Sequence, residues 1–316
     1  MRKLTINKFF DKIIILTLTV ILAFSLAGCS EIRLASALDD DILVQIEDET
    51  VSSAEGLFRL MELIESYGDT DETFFARSVG DITMDEYLKE SVEEEMVMLA
   101  CMVFIADDLA IYLTDDEIAQ SALDAEEAFF EISLEYDTTA WGITLEDVEN
   151  LYEKQALYEK VYSELTDSVT MEISETDTKV IEVNFVLFPE DTTIDEAERL
   201  RAKISAGVSF ESACEALGYE PYMNITIKKG DMVSAFESVA FALSDGELSE
   251  CTETVDGIYL IECVEDYLEA ESAANYNAVI TEAKDEIFET TYSDFLNSVE
   301  IRINDSFWED ISAAEL

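Results

Sequence analysis

Apolar residues fall on a 3.6-residue period from about Ser53 to Ser66, where Leu57, Leu60, Leu63 and Ile64 share one face, and this spacing predicts an amphipathic helix. The apolar run Ile42–Ile46 before it reads as a short strand, followed by a turn at Glu47–Thr50. Beyond a polar loop with Gly68 and Gly80, Thr83-Met84-Asp85-Glu86 has capping-box spacing, in which hydroxyl and carboxylate each take up a backbone N–H at a helix start. Leu88, Val92, Met96, Leu99 and Val103 carry the stripe of the helix that follows. A second box, Thr114-Asp115-Asp116-Glu117, opens a helix through Ala128–Phe130. Thr144 opens another to about Leu165, with Val148, Leu151, Leu157, Tyr158 and Val161 apolar. Residues 41–178 therefore read as a mostly helical domain.

The period changes at Lys179. Lys179–Phe188 is rich in Val, Ile and Phe and stops at Pro189, the signature of a strand and a break. A third capping box, Thr193-Ile194-Asp195-Glu196, opens a helix to Gly207, and Ser209-Phe210 a shorter one to Leu217. Asn224–Ile227 reads as a strand, Val233–Leu243 as a helix, and Glu250–Thr254 with Ile258–Val264 as a hairpin turning at Asp256-Gly257. Residues 179–267 thus run strand, helix, helix, strand, helix, strand, strand. A long helix, Glu269–Leu296, and the alternating segment Val299–Ile303 complete residues 268–316. The fold class expected is α+β.

Composition narrows the chemistry. The 316 residues include 73 acidic and 18 basic ones and no His, a formal net charge of -55. Without His there is no Ser-His-Asp triad, no His-ligated metal and no imidazole base. Nucleic acid is excluded as a partner, because its binding depends on Lys and Arg releasing counterions. A hydrophobic fraction of 49% is ordinary, so the chain folds and its charge lies on the surface. No Asp-x-Asp-x-Asp-Gly loop marks calcium, and no cofactor or metal site is expected.

The first residues form an address. Arg2, Lys3, Lys8 and Lys12 precede an apolar run, Ile13–Leu26, that closes on Leu26-Ala27-Gly28-Cys29. This resembles a bacterial lipoprotein signal peptide over residues 1–28, with its lipobox at the end. The resemblance implies that Cys29 becomes the lipidated first residue, that residues 29–40 are a tether, and that the protein sits on the extracytoplasmic face of the cell membrane. Two acyl chains, at about 0.8 kcal/mol per buried methylene, hold a protein stably where one does not. Removal of residues 1–28, which hold four basic residues and Asp11, leaves 14 basic and 72 acidic residues, a net charge of −58.

Four other cysteines remain: Cys101, Cys214, Cys251 and Cys263. No C-x-x-C pair is present, which removes zinc knuckles and thioredoxin-like redox motifs. Cys101 and Cys214 lie in apolar helical contexts and read as small core residues. Cys251 and Cys263 face each other across the hairpin if its turn centres on Gly257, which would permit a disulfide; a one-residue slip would put them on opposite faces.

Specific residues of the second segment match a known pattern. Lys229-Gly230-Asp231-Met232-Val233-Ser234-Ala235-Phe236-Glu237 resembles the parvulin Gly-Gln-Met-Val-x-x-Phe-Glu stretch. Ala240-Phe241-Ala242-Leu243 with Gly246, Glu247 and Ser249 resembles its continuation, as does Thr254-Val255-Asp256-Gly257-Ile258-Tyr259-Leu260-Ile261. With the Trp141-Gly142-Ile143-Thr144 helix start, the lipobox and the C-terminal helix, the chain is similar to PrsA-like and SurA-like foldases carrying a parvulin-type peptidyl-prolyl isomerase domain. The resemblance implies a four-stranded antiparallel sheet in residues 179–267 and a C-terminal segment packed back on the helical domain. It also implies unfolded or newly exported polypeptides and X-Pro segments as partners, and it admits a homodimer. Met232 and Phe236 are expected to floor a proline groove at the open face of the sheet, with Thr254 and Tyr259 as its wall and Phe185 on the facing strand.

The departures are equally specific. The family's first-strand His falls on Phe185 and its second on Tyr259. Its Gly-Gly-Asp-Leu-Gly segment, with the Cys or Asp before it, is replaced by Glu220-Pro221-Tyr222-Met223-Asn224. The resemblance therefore leaves two readings open, an isomerase and a non-catalytic chaperone or scaffold. A third reading, a solute-binding lipoprotein, needs two lobes of repeated βα units that the pattern does not contain.

Overall fold

The computed structural model describes residues 38–68, 70–169, 173–174, 176–304, 306–309 and 311–316. The expected signal peptide, Cys29 and the tether as far as residue 37 lie outside the described residues. Two compact units divide the chain, one of Met1–Asp167 with Asp285–Leu316, the other of Ser168–Lys284.

The first unit begins with an antiparallel pair, β1 (Ile42–Ile46) and β2 (Glu49–Ser52), and continues into α1 (Ser53–Ser66). The short helix α2 (Glu72–Phe75) and a small hairpin, β3 (Ser78–Val79) with β4 (Ile82–Thr83), lead to α3 (Met84–Leu109). Helices α4 (Asp115–Glu135) and α5 (Leu145–Thr166) follow. Capping decides where these helices start: at Thr83, Thr114 and Thr144 the hydroxyl accepts the N–H of the third helical residue, whose carboxylate accepts the threonine N–H in return. The core is built where the stripes meet, with Phe58, Leu60, Met61, Leu88, Met96, Leu99, Met102 and Leu151 fully buried.

Into this apolar core the chain folds a charged cluster. The Arg59 Nε donates to both carboxylate oxygens of Glu95, at 2.8 and 2.9 Å, and its Nη1 to Glu62 at 3.2 Å. The Tyr152 hydroxyl donates to Glu62 at 2.6 Å. All three charged side chains are buried. A charge taken from water costs several kcal/mol unless it is paired and hydrogen-bonded, and here each is.

The second unit is a four-stranded antiparallel sheet in the order β6-β5-β8-β7, formed by β5 (Val180–Leu187), β6 (Tyr222–Lys228), β7 (Thr252–Thr254) and β8 (Gly257–Glu265). Side chains alternate across it. Val186, Phe188 and Leu260 face α6 (Ile194–Ser205) and α7 (Phe210–Leu217), packing on Leu200 and Phe210. Val183, Phe185, Tyr259 and Ile261 face the other way, toward α8 (Ser234–Ala240).

The final helix, α9 (Glu269–Leu296), contributes to both units: residues up to Lys284 belong to the second and those from Asp285 to the first. In the second unit the Ser272 hydroxyl accepts the Val180 N–H at 2.9 Å. In the first, Phe288 packs edge-on to Tyr158 at 5.5 Å, and the Tyr162 hydroxyl donates to Asp285 at 2.8 Å. Strand β9 (Ile301–Ile303) then pairs antiparallel with β1, giving a sheet in the order β2-β1-β9, and α10 (Ser306–Glu309) follows.

The hairpin decides between the two registers that the sequence left open. Its register is Thr252↔Tyr259 and Thr254↔Gly257, so the turn centres between Val255 and Asp256. Cys251 consequently packs on the α6/α7 face and Cys263 on the α8 face, and both are free thiols. The shifted turn centre puts them on opposite faces, which forbids the cross-strand bridge. Gly257 itself is required: its φ is 132°, and a Cβ there would stand 3.0 Å from Leu187 Cδ1.

Candidate functional site

On the α8 face of the second unit's sheet, aromatic side chains from three strands and one helix meet. The Phe236 ring, on the first turn of α8, stands edge-on to Phe185 at 5.2 Å and to Tyr259 at 5.0 Å. Phe185 and Tyr259 are 5.9 Å apart. Edge-to-face rings attract through opposed quadrupoles beyond their burial. Phe185 and Tyr259, the positions onto which the sequence resemblance would place His, are thus rings that pack on one another. Burial raises the Tyr259 hydroxyl above the ordinary tyrosine range, with Asp256 and Tyr222 adding to the effect.

Met232 is placed by a carboxylate. Glu237 accepts the N–H of Gly230 at 2.7 Å and that of Met232 at 3.0 Å, tying the loop before α8 to the helix. The thioether packs against the aromatic cluster while remaining half-buried. Thr254 is also half-buried, and its hydroxyl serves the hairpin: it donates to Gly257 O at 3.1 Å and accepts the Asp256 N–H at 3.1 Å.

An open floor shared by Met232 and Phe236 is not what the structure contains. Phe236 has 0% of its surface exposed, and Phe185 and Tyr259 have 7% and 5%. The three rings fill the space the expected groove would occupy, because packing their apolar faces on one another removes them from water.

One member of the cluster is absent from the sequence expectation. Tyr222 stacks nearly parallel on Phe185, with centroids 4.7 Å apart and planes at 14°, and keeps 54% of its surface exposed. A bulge puts it there. Ile225 and Ile227 of β6 face the cluster, but Asn224 has φ 52° and the register slips, so that Met223 turns to the α6/α7 face and Tyr222 returns opposite Phe185. Asn184 fixes the bulge by accepting the Asn224 N–H at 2.8 Å. The available signal was the Asn itself, a residue that tolerates left-handed backbone, inside a short apolar strand.

The arrangement offers an apolar and aromatic surface with tyrosine hydroxyls and no charged group within the ring cluster. Among the described residues no group of three or more Cys, Asp or Glu side chains could hold a metal ion, and no helix is long and apolar enough to cross a membrane.

No protein-family model matches the chain, and no curated protein matches it. Solved structures similar to it are peptidyl-prolyl isomerases, foldases and SurA-like chaperones. They include the peptidylprolyl isomerase PrsA of Bacillus cereus, at 18% identity over 75% of this chain and 97% of that one, with a TM-score of 0.32. A SurA-like chaperone structure from Campylobacter jejuni matches at 11% identity over 84% and 99% of the two chains, with a TM-score of 0.28. The parvulin of Nitrosopumilus maritimus matches at 24% identity over 27% of this chain and 95% of its own, with a TM-score of 0.22.

Proposed function

We propose that the chain is a lipid-anchored extracytoplasmic foldase, held at the membrane through Cys29, that binds newly exported polypeptides and receives their X-Pro segments against the accessible parts of Met232, Thr254 and Tyr222, over the buried rings of Phe236, Phe185 and Tyr259. The observation that carries this is the assembly of those rings and the thioether on one face of a four-stranded antiparallel sheet. Rotation about an X-Pro bond faces a barrier of roughly 18–20 kcal/mol set by amide resonance, and it needs no nucleophile, metal or proton carrier. A surface that removes water from the amide and fits the twisted form better than either planar isomer lowers that barrier by differential binding. The aromatic cluster has the composition for this, with Tyr222 as the ring a prolyl side chain would meet first.

A second reading, a chaperone without catalysis, is favoured by the complete burial of Phe236. The test is cis/trans exchange of Ala-Xaa-Pro-Phe peptides by NMR exchange spectroscopy with the chain from Ser30 onward, beside its Met232→Ala variant. Acceleration lost in the variant supports the isomerase. No acceleration, with aggregation of an unfolded protein still suppressed, supports the chaperone. Neither activity removes both. Anchoring is tested separately, by a diacylglycerol mass increment on the peptide that begins at Cys29.

A further inference from the structure

The first unit contains a cavity of about 740 Å³, whereas the aromatic cluster belongs to the second unit. It is bounded by the β1–β2 turn, the end of α3, the α3–α4 connection, the start of α4 and one face of α5. Its walls are apolar, formed by Val103, Phe104, Ile111, Leu113, Ile118 and Leu157. Four carboxylates also line it: Asp48, Glu49, Asp107 and Glu153. Among the described lining residues Lys154 is the one cation, and its charge is already matched, with Nζ 2.9 Å from Glu55 and 3.8 Å from Glu49. The Tyr112 ring, 61% exposed, stands at the cavity with its hydroxyl donating to Asp107 at 3.1 Å.

We propose that this cavity is a polypeptide-binding site that takes an apolar side chain whose neighbouring residues are Lys or Arg. The volume lies within the range of about 300–1,000 Å³ over which proteins enclose ligands. Four carboxylates against one lysine give the lining a net negative charge, and a concave site focuses that field, so the cavity draws cations. Charge selects the occupant. A second copy of this chain, with 73 acidic and 18 basic residues, is repelled, as are nucleic acid and anionic lipid headgroups. A segment that is both apolar and basic satisfies the apolar and the acidic lining together. The inference rests on the foldase reading for the kind of partner, a polypeptide, and adds to it a chemical preference and a second place, in the other unit.

The test uses the chain from Ser30 onward, which carries every described residue of both units, and fluorescent peptides sharing one Leu-Phe centre flanked by Lys, Gln or Glu. Anisotropy titration is expected to rank them Lys, Gln, Glu, with roughly tenfold between first and last at low salt. That advantage should vanish between about 0.05 and 0.5 M salt, where the Debye length shrinks to a few Å. The exposed pair Asp107→Asn with Glu153→Gln should lower affinity for the Lys-flanked peptide alone, and Tyr112→Ser with Ile118→Ser should weaken all three. Removing two carboxylates barely alters the net charge, so a loss confined to the Lys-flanked peptide reports the cavity. Equal binding of Lys- and Glu-flanked peptides overturns the proposal, as do variants that bind like the parent or self-association through this face in sedimentation. If peptides bind yet ignore both variant pairs, the cavity assignment falls while the foldase reading stands. Cavity binding without isomerase or anti-aggregation activity removes the foldase reading alone.

Discussion

Replacing Arg59 with Met exposes how the first unit balances its buried charge. The substitution keeps an unbranched apolar stem and deletes the guanidinium, with its two contacts to Glu95 at 2.8 and 2.9 Å and its contact to Glu62 at 3.2 Å. Two carboxylates then remain among buried neighbours, Glu62 with only the Tyr152 hydroxyl and Glu95 with Gln155 at 3.4 Å from the same cluster. Removing one partner of a buried pair costs about 3–5 kcal/mol, a large part of the roughly 5–15 kcal/mol that holds a domain folded. Proton linkage gives the effect a second signature. Burial already raises the Glu62 pKa above 4.5, with Arg59 and Tyr152 opposing it. Loss of Arg59 raises it further, so the folded variant binds a proton more tightly than the unfolded chain does. Its stability therefore increases as pH falls below the raised folded value, is fully regained below the unfolded value, and is lost as pH rises through the folded value. The assay is urea unfolding followed by tryptophan fluorescence, which reports the first unit because Trp141 and Trp308 both belong to it. The parent and variant curves should differ most near pH 7 and approach each other near pH 5. Adding Glu62→Gln and Glu95→Gln should recover part of the loss, since no unpaired charge is then buried. A loss below about 1 kcal/mol, or a gap that ignores pH, would refute the reasoning.

Three further outcomes are expected. Gly257→Ala should lower the second unit's stability by more than about 1 kcal/mol in thermal circular dichroism, because φ 132° and Leu187 both oppose a Cβ; an unchanged melting curve would contradict this. Tyr222→Ala removes a ring stacked at 4.7 Å, at a cost of about 0.5–1.5 kcal/mol, and uncovers Phe185. It should weaken binding of X-Pro peptides in NMR titrations, whereas stronger binding would make Tyr222 a cover and not a contact. Alkylation should find Cys101, Cys214, Cys251 and Cys263 all as thiols after unfolding, and slow to react before it. Burial pushes Cys101 and Cys251 up to about 12, with Glu198 adding at Cys251, and Cys214 and Cys263 up to about 11. A peptide joining Cys251 to Cys263 would contradict the register.

What the sequence made legible was local. Thr83, Thr114 and Thr144 mark helix starts because a cap is satisfied within three residues, and α1 spans Ser53–Ser66 because its stripe needs no distant partner to be recognised. The alternation of Val183, Phe185 and Val186 likewise identifies β5 as a strand buried on both faces. The missed features depend on pairing. A one-residue bulge at Asn224 decides which face Tyr222 joins, and a turn centre off by less than two residues decides whether Cys251 meets Cys263. Periodicity cannot separate a groove floor from a core, so Phe236 read as a ligand contact and lies buried against the rings of Phe185 and Tyr259. Arg59 and Glu95, 36 residues apart, show no local sign that they share one buried site.

The first unit is assembled from both ends of the chain, and this sets a schedule. A chain that emerges amino-terminus first presents β1 with its outer edge open until Ile301–Ile303 arrives to pair with Val44, Gln45 and Ile46. Phe288 and Tyr292, buried in the same unit, arrive almost as late. The second unit, Ser168–Lys284, is continuous and complete before either of them. During that interval the helical segments expose the apolar faces that the last residues will cover. The protein is then a folding client itself, finished only when the tail of its own sequence closes the sheet its head began.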